Sequence, residues 1–294
     1  MTAIRIENLK KHFGSVKAVD GISIEVGKGA LFGFLGPNGA GKTTTIRCMM
    51  NFICPLEGSV SILGKDAQND YVELKKRIGY LSGSTQLYRN WDGQTHIDYI
   101  RRFDGADDIA QDLIRRFNLN VKTKVKYLSS GNIQKLGIVL AFMKKPEVLI
   151  LDEPTRALDP LLQNEVYELL QEFAANGSTI FMSSHNLAEV ERICSQAGII
   201  KNGKMVALQS ISALKEKRLN LVDVRFEQPV SKECFADENT EVLKEFADGF
   251  LLKVKGDITP VIVRLADCRI AHITISQPSL EDIFMEYYSE GGDD

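Results

Sequence analysis

The sequence contains no apolar run near the ~18 residues that a bilayer-crossing helix requires, and Met1-Thr2-Ala3-Ile4-Arg5 begins no signal-peptide core. A chain lacking both is expected to be soluble and cytosolic. Cysteine is scarce: Cys48, Cys54, Cys194, Cys234 and Cys268 are scattered, odd in number and without the paired spacing of metal ligands. They are expected to be reduced and mostly to pack, rather than to form a disulfide framework. Nor is there an excess of positive charge. Lys and Arg number 36 against 39 Asp and Glu, a net charge of −3, which gives no overall attraction to nucleic acid, so no nucleic-acid partner is expected. The local basic clusters Lys10-Lys11-His12 and Lys122 to Lys126 read as solvated faces. These exclusions leave a globular chain of 294 residues, long enough for a sizeable core and about two domains.

What is present is a glycine-rich loop in an informative place. Gly36-Pro37-Asn38-Gly39-Ala40-Gly41-Lys42-Thr43-Thr44 follows the apolar run Ala30 to Leu35. A buried strand that empties into such a loop, with a helix expected from Lys42 to about Asn51, is the arrangement that cradles nucleotide phosphates. Gly36, Gly39 and Gly41 let the backbone turn tightly and direct several N–H groups into one concavity. The helix start adds the positive end of its dipole. Lys42 is placed to reach the β- and γ-phosphates, and the Thr43 hydroxyl to bind the Mg²⁺ that bridges them.

Strands alternate with helices through about the first two hundred residues, which predicts an α/β fold with a largely parallel, helix-covered sheet. Ile4-Arg5-Ile6 and Ile22 to Val26 alternate apolar and polar residues as half-exposed strands do, whereas Val148 to Leu151 and Thr179 to Met182 are continuously apolar and belong in the sheet centre. Asp159-Pro160 predicts a helix start, as N-cap and first-turn proline, with apolar periodicity running to Gly177. Asn202-Gly203 predicts a hairpin. Residues 84–145 read as a mostly helical lobe, and the Lys-, Glu- and Arg-rich stretch from Ser212 to Asn220 as a linker. Beyond it, Leu221 to Phe226, Phe250 to Val254 and Arg269 to Ile275 suggest a small second sheet, with helices near Thr259 to Ala266 and Ser279 to Tyr288.

Two further strands end on chemistry. Val148 to Leu151 runs into Asp152-Glu153, and Thr179 to Met182 into Ser183-Ser184-His185. Ligands of open parallel sheets sit beyond the carboxyl ends of the strands, so these endings and the glycine loop can meet on one nucleotide. In that reading Asp152 holds Mg²⁺, Glu153 orients or deprotonates the attacking water, and His185 contacts the γ-phosphate. Taken singly, an Asp-Glu pair is also a common surface turn, and a lone histidine a common structural residue.

With Leu128-Ser129-Ser130-Gly131-Asn132, Leu151-Asp152-Glu153-Pro154 and Ala157-Leu158-Asp159 added, residues 2–210 resemble the ATPase subunits of ATP-binding cassette (ABC) transporters. The resemblance implies a P-loop ATPase fold with a mostly parallel central sheet, an antiparallel β subdomain and a helical subdomain within residues 1–216. It implies an aromatic stack of Phe13 on adenine, although a strand-end core residue is the alternative for Phe13. It also implies that two cassettes, identical or related, pair head to tail, so that Ser129, Gly131 and Asn132 at a helix start contact the γ-phosphate held by the other subunit. Asp159 falls in the loop linking the two sites, and is equally a helix cap.

Two departures from that family pattern stand out. The usual Gln after Ile78-Gly79-Tyr80-Leu81, which senses Mg²⁺ and the attacking water, is absent, and the chain reads Ser82-Gly83-Ser84. Ser130 and Asn132 stand where Gly and Gln are commonest. Residues 217–294, with Pro278 to Phe284 near their end, look like the small α+β accessory domain of bacterial export-type ATPases for drugs, antibiotics or sodium. This implies a separate polytopic membrane permease, docking near Leu87 to Tyr99 with Trp91 and holding the ATPase at the inner face of the cell membrane. The competing expectations are a soluble ABC ATPase outside transport and a weakly hydrolysing nucleotide switch.

Overall fold

A computed structural model of the chain describes residues 1–103, 108–211, 219–235 and 237–276. They belong to two compact units, Met1–Leu208 and Gln209–Asp294. The first unit runs β1 (Thr2–Phe13), β2 (Val16–Gly27), β3 (Leu31–Leu35), α1 (Lys42–Met49), β4 (Glu57–Ile62), β5 (Lys65–Asp66), α2 (Tyr71–Arg77) and β6 (Ile78–Leu81). It continues through α3 (Gly93–Arg101), α4 (Ala110–Arg116) and α5 (Ser130–Phe142) to β7 (Val148–Asp152), α6 (Pro160–Ala175), β8 (Thr179–Ser184), α7 (Leu187–Ile193), β9 (Gln196–Lys201) and β10 (Lys204–Ser210), the last two residues of β10 falling in the second unit. The second holds β11 (Leu219–Phe226), β12 (Thr240–Phe246), β13 (Gly249–Lys255), α8 (Thr259–Ala266) and β14 (Ile270–Ser276).

The site-bearing sheet has the order β10-β9-β3-β8-β7-β6. Its pairs β3 with β8, β3 with β9, β7 with β8 and β6 with β7 are parallel. Every residue of β3, β7 and β8 is buried, the outcome expected of continuous apolar runs covered on two faces. Phe181 of β8 stacks on Phe32 at 5.3 Å between ring centroids and tilts against Phe34 at 5.4 Å, fixing β8 against β3 in the core. The register sets Leu35 beside Ser184 and Asp152 beside Ser183, so the three strands finish level at one sheet edge. Beside this stands an antiparallel sheet, β2-β1-β4-β5, whose Val19, Ile22, Ile24 and Val26 point into the same core as Phe32 and Phe34.

Helix α6 begins where the Asp159-Pro160 signal places it. Asp159 caps α6 by accepting from the Leu161 and Leu162 N–H groups at 3.1 Å each, Pro160 occupies its first position, and Gly177 follows its end at φ 92°. Asn202 and Gly203, at φ 48° and 78°, turn β9 into β10. Three helices, α3, α4 and α5, fall within residues 84–145. Arg116 fastens α4 to α6 through Glu165 at 3.1 Å, Glu168 at 3.5 Å and Glu172 at 2.7 Å. No helix among the described residues is long and apolar enough to cross a membrane.

The second unit is an antiparallel sheet, β12-β13-β11-β14, with α8 placing Val261 and Leu265 on a core of Val222, Val224, Phe250, Leu252 and Val254. Strand β12 was not expected from the sequence. Thr240-Glu241-Val242-Leu243-Lys244-Glu245-Phe246 lies at the sheet edge and is largely exposed, and charged residues suit such an edge while hiding the strand signal. Of the expected linker, residues 212–218 lie outside the described residues, as do the expected boundary at 216, the helix near 279–288 and the segment Pro278 to Phe284.

Phe181→Ala removes the ring joining β3 to β8, and is expected to lower unfolding free energy by about 3–5 kcal/mol in urea denaturation. A loss under about 1 kcal/mol would show that the contact is dispensable.

Candidate functional site

The glycine loop is held from behind as well as open in front. Gly36 can carry no side chain, because a Cβ there would lie 2.5 Å from the Ile200 carbonyl oxygen. Gly41, at φ 115°, would bring a Cβ to 2.4 Å from the Ala18 oxygen of β2. The β9–β10 turn completes this support: Gly203 N–H donates to Ala40 O at 2.9 Å, and Asp20 N–H donates to Gly203 O at 2.8 Å. At the start of α1 Gly41 offers no capping side chain, leaving that end suited to an anion.

Lys42 is buried and donates from Nζ to Gly36 O at 2.5 Å and Pro37 O at 3.2 Å. The same ammonium lies 3.5 Å from Glu153 Oε1. Thr43 Oγ1 donates to Asp152 Oδ2 at 2.8 Å, and Ser183 Oγ donates to Asp152 Oδ1. Asp152 is only 2% exposed. Glu153 stands at φ 52°, a left-handed conformation worth about 1–3 kcal/mol of strain, and its N–H donates to Ser183 at the end of β8. Its Oε2 is 2.7 Å from His185 Nδ1. Lys42, Thr43, Asp152, Glu153 and His185 line one cavity of about 440 Å³. Tyr80 also lines it, its phenol pushed upward first by burial and then by the Asp152 charge.

The donor set fits a small hard cation. A buried carboxylate and a hydroxyl 2.8 Å apart are oxygen ligands suited to Mg²⁺. No group of three or more His, Cys, Asp and Glu side chains able to hold a metal exists among the described residues, so a cation here would take its remaining ligands from phosphate and water.

Of the expected residues, Pro37, Asn38, Gly39, Gly41, Lys42, Thr43, Thr44, Asp152, Glu153 and His185 line this one cavity, whereas Gly36 and Ala40 of the same loop do not. Other expected residues stand elsewhere. Phe13 ends β1 with 51% of its surface exposed, outside the cavity lining, and the exposure rules out a core role. Ser129 caps α5 by accepting from Asn132 N–H at 3.3 Å, and it, Gly131 and Asn132 lie outside the cavity. Asp159 acts as a cap. Trp91 is half-buried among Tyr88, His96 and Tyr99. A separate apolar groove of about 640 Å³ is lined instead by Leu87, Ile100 and Phe103, facing Tyr71, Val72 and Leu140.

Two buried polar residues escaped the sequence reading. Gln134 Nε2 donates to Pro154 O at 2.8 Å and Glu153 O at 3.4 Å, while its Oε1 accepts from Thr85 at 3.1 Å. Glu189 accepts from Thr155 at 2.8 Å and from Ser184 at 2.6 Å, next to His185. Burial pushes the Glu189 carboxyl up, against those two hydrogen bonds. A signal for Glu189 was present: it stands three residues after Asn186, the N-cap that accepts from its N–H, as in a capping box.

Comparison with known proteins agrees with this geometry. Residues 19–156 match the ABC transporter family. Over 300 positions the chain is 33% identical to the uncharacterised ABC transporter ATP-binding protein YhaQ of Bacillus subtilis (strain 168), covering 96% of this chain and 97% of that protein. It is 30% identical to the Nod factor export ATP-binding protein I of Paraburkholderia xenovorans (strain LB400), with 96% of each covered. A solved structure of an ATP binding subunit of an ABC transporter superposes with a TM-score of 0.68 at 27% identity, over 73% of this chain and 92% of that one.

The raised Glu189 carboxyl means that the folded state holds this proton more tightly than the unfolded chain. Its contribution to stability is full below the ordinary value of 4.5 and is lost as pH rises through the folded value. Glu189→Gln removes that dependence, so the variant is expected to gain stability relative to the parent as pH climbs from 4.5 towards neutrality. Urea denaturation across that range checks it, and a pH-independent difference refutes it.

Proposed function

The chain belongs to the ABC transporter family as an ATP-binding and ATP-hydrolysing subunit, and we propose that it powers export through a separate membrane subunit. The observation that carries the reading is the single cavity holding Lys42, Thr43, Asp152, Glu153 and His185. The relative named for Nod factor export, matched along nearly its whole length, supports the export direction.

The triphosphate of ATP lies on the loop from Gly36 to Gly41, with backbone N–H groups and the start of α1 facing its charge. Lys42 exchanges carbonyl partners on its own loop for β- and γ-phosphate oxygens. Thr43 and Asp152 are the residues that would hold Mg²⁺, which when bound neutralises the bridging phosphate charge. Glu153 takes a proton from the attacking water as its oxygen bonds to the γ-phosphorus and the bond to ADP breaks, the electron pair leaving on the β-phosphate. His185, 2.7 Å from Glu153, orients that carboxylate and reaches the γ-phosphate. The exposed ring of Phe13 suits an adenine stack.

Ser129, Gly131 and Asn132 sit at a helix start away from this cavity, which suits a role at the site of a second, identical or related subunit. ATP then joins two cassettes and hydrolysis releases them, with Asp159 in the loop between the sites. The apolar groove beside α3 receives a segment of the membrane permease, which holds the ATPase at the cytoplasmic face.

Glu153→Gln is expected to keep nucleotide binding while lowering phosphate release by about 10²–10³-fold, and unchanged turnover would remove Glu153 from its role. Phe103→Asp places a charge in the groove. It is expected to abolish co-purification with the membrane subunit while the isolated ATPase still hydrolyses ATP, and retained complex formation would move the docking site elsewhere.

A further inference from the structure

Besides Lys42, the cavity is lined by two further cationic residues, Arg47 and Arg156. Arg156 lies three residues beyond Glu153 in a turn bracketed by two left-handed residues, Glu153 at φ 52° and Ala157 at φ 62°, and its N–H donates to Glu153 O at 3.1 Å. The turn is therefore one short, closed unit that carries both the base and the arginine. The side chain of Arg156 lines the same cavity as Lys42 and His185, and its Nη1 donates to Gly83 O at 3.2 Å.

Gly83 is the centre of the loop 82–84 that leads from β6 into the helical lobe. It is pressed against the metal-site carboxylate, since a Cβ there would meet Asp152 Oδ2 at 3.0 Å and Cγ at 3.1 Å. The loop borders the cavity with a bare backbone at its middle, and the guanidinium of Arg156 bonds to the Gly83 carbonyl there, while the Thr85 and Ser82 hydroxyls bond to the carbonyls of Ser82 and Ser84 respectively. A guanidinium has donors only and stays charged, so it can neither ligate a cation nor accept a proton from water. What it can address in this cavity is an anion, in a geometry matched to phosphate oxygens. One Arg156 bond is committed to Gly83, and the fork leaves further N–H groups for the nucleotide.

We propose that Arg156 binds the terminal phosphate of ATP from within its own subunit and, through Gly83, ties the loop 82–84 to the presence of that phosphate. The loop is then set by the anion instead of by a side-chain amide contacting metal and water. The proposal rests on the ATP-site reading above and adds a discrimination to it: Arg156 contributes to triphosphate affinity and little to diphosphate affinity.

The test uses the full-length protein and two probes with Mg²⁺, the β,γ-imido analogue of ATP and ADP, with affinities measured by calorimetry. Arg156→Ala is expected to weaken the analogue by about 10- to 100-fold while ADP affinity changes by less than about twofold. Arg156→Lys, which keeps the charge, is expected to recover part of the analogue affinity. Because the side chain is exposed, circular dichroism of each variant should match the parent. Equal losses for the two nucleotides, no loss for either, or a Lys variant as weak as the Ala variant would overturn the proposal. Failure of the ATP-site reading itself looks different, since the parent protein would then bind neither nucleotide and Lys42→Ala would change nothing.

Discussion

A carboxylate buried to 2% exposure is costly unless its oxygens are met, and Asp152 has one hydroxyl on each. Thr43 comes from the first turn of α1 and Ser183 from the end of β8, while the carboxylate itself ends β7. Satisfying one charge therefore fixes the relative height of three chain segments. Gly83 closes on the same group from a fourth direction, near enough that an added Cβ would lie 3.0 Å from Asp152 Oδ2. The positions of the phosphate loop, the base and the loop into the helical lobe all follow from this arrangement.

The turn carrying Glu153 is held from both sides by polar groups of the interior. Gln134, on the helix that opens with Ser129, bonds to the Pro154 and Glu153 carbonyls, and Glu189 bonds to Thr155 and to Ser184 beside His185. A left-handed glutamate persists only where its surroundings over-determine it, and these bonds are what does so. They also link α5, whose start Ser129 caps, to the turn that carries the base.

Much of this was legible in the residues because it is local. The glycine loop, the apolar runs of β7 and β8, the Asp159-Pro160 cap and the Asn202-Gly203 turn each encode their geometry within a few positions. The convergence of Lys42, Asp152, Glu153 and His185 was legible because parallel strands deliver their carboxyl ends to one edge. What escaped depends on partners distant in sequence. Gln134 reads as an ordinary polar helix residue until Pro154 is placed beside it, and Arg156 as a surface charge until Gly83 lies beneath it. Strand β12 was hidden because charges belong on a sheet edge and weaken the pattern that marks a strand. For Phe13 the sequence left two readings, and its exposed position removes the core one.

The rear support of the phosphate loop has a thermodynamic consequence. Ala40 accepts from the β9–β10 turn, Gly203 in turn accepts from Asp20 on β2, and Gly36 and Gly41 are packed against the carbonyls of Ile200 and Ala18. The loop is thereby built into two sheets, so most of the conformational entropy of shaping an anion cradle is lost when the protein folds. A nucleotide arriving there has to redirect a few side chains, Lys42 foremost, and the free energy of its phosphate contacts remains available to move the rest of the molecule.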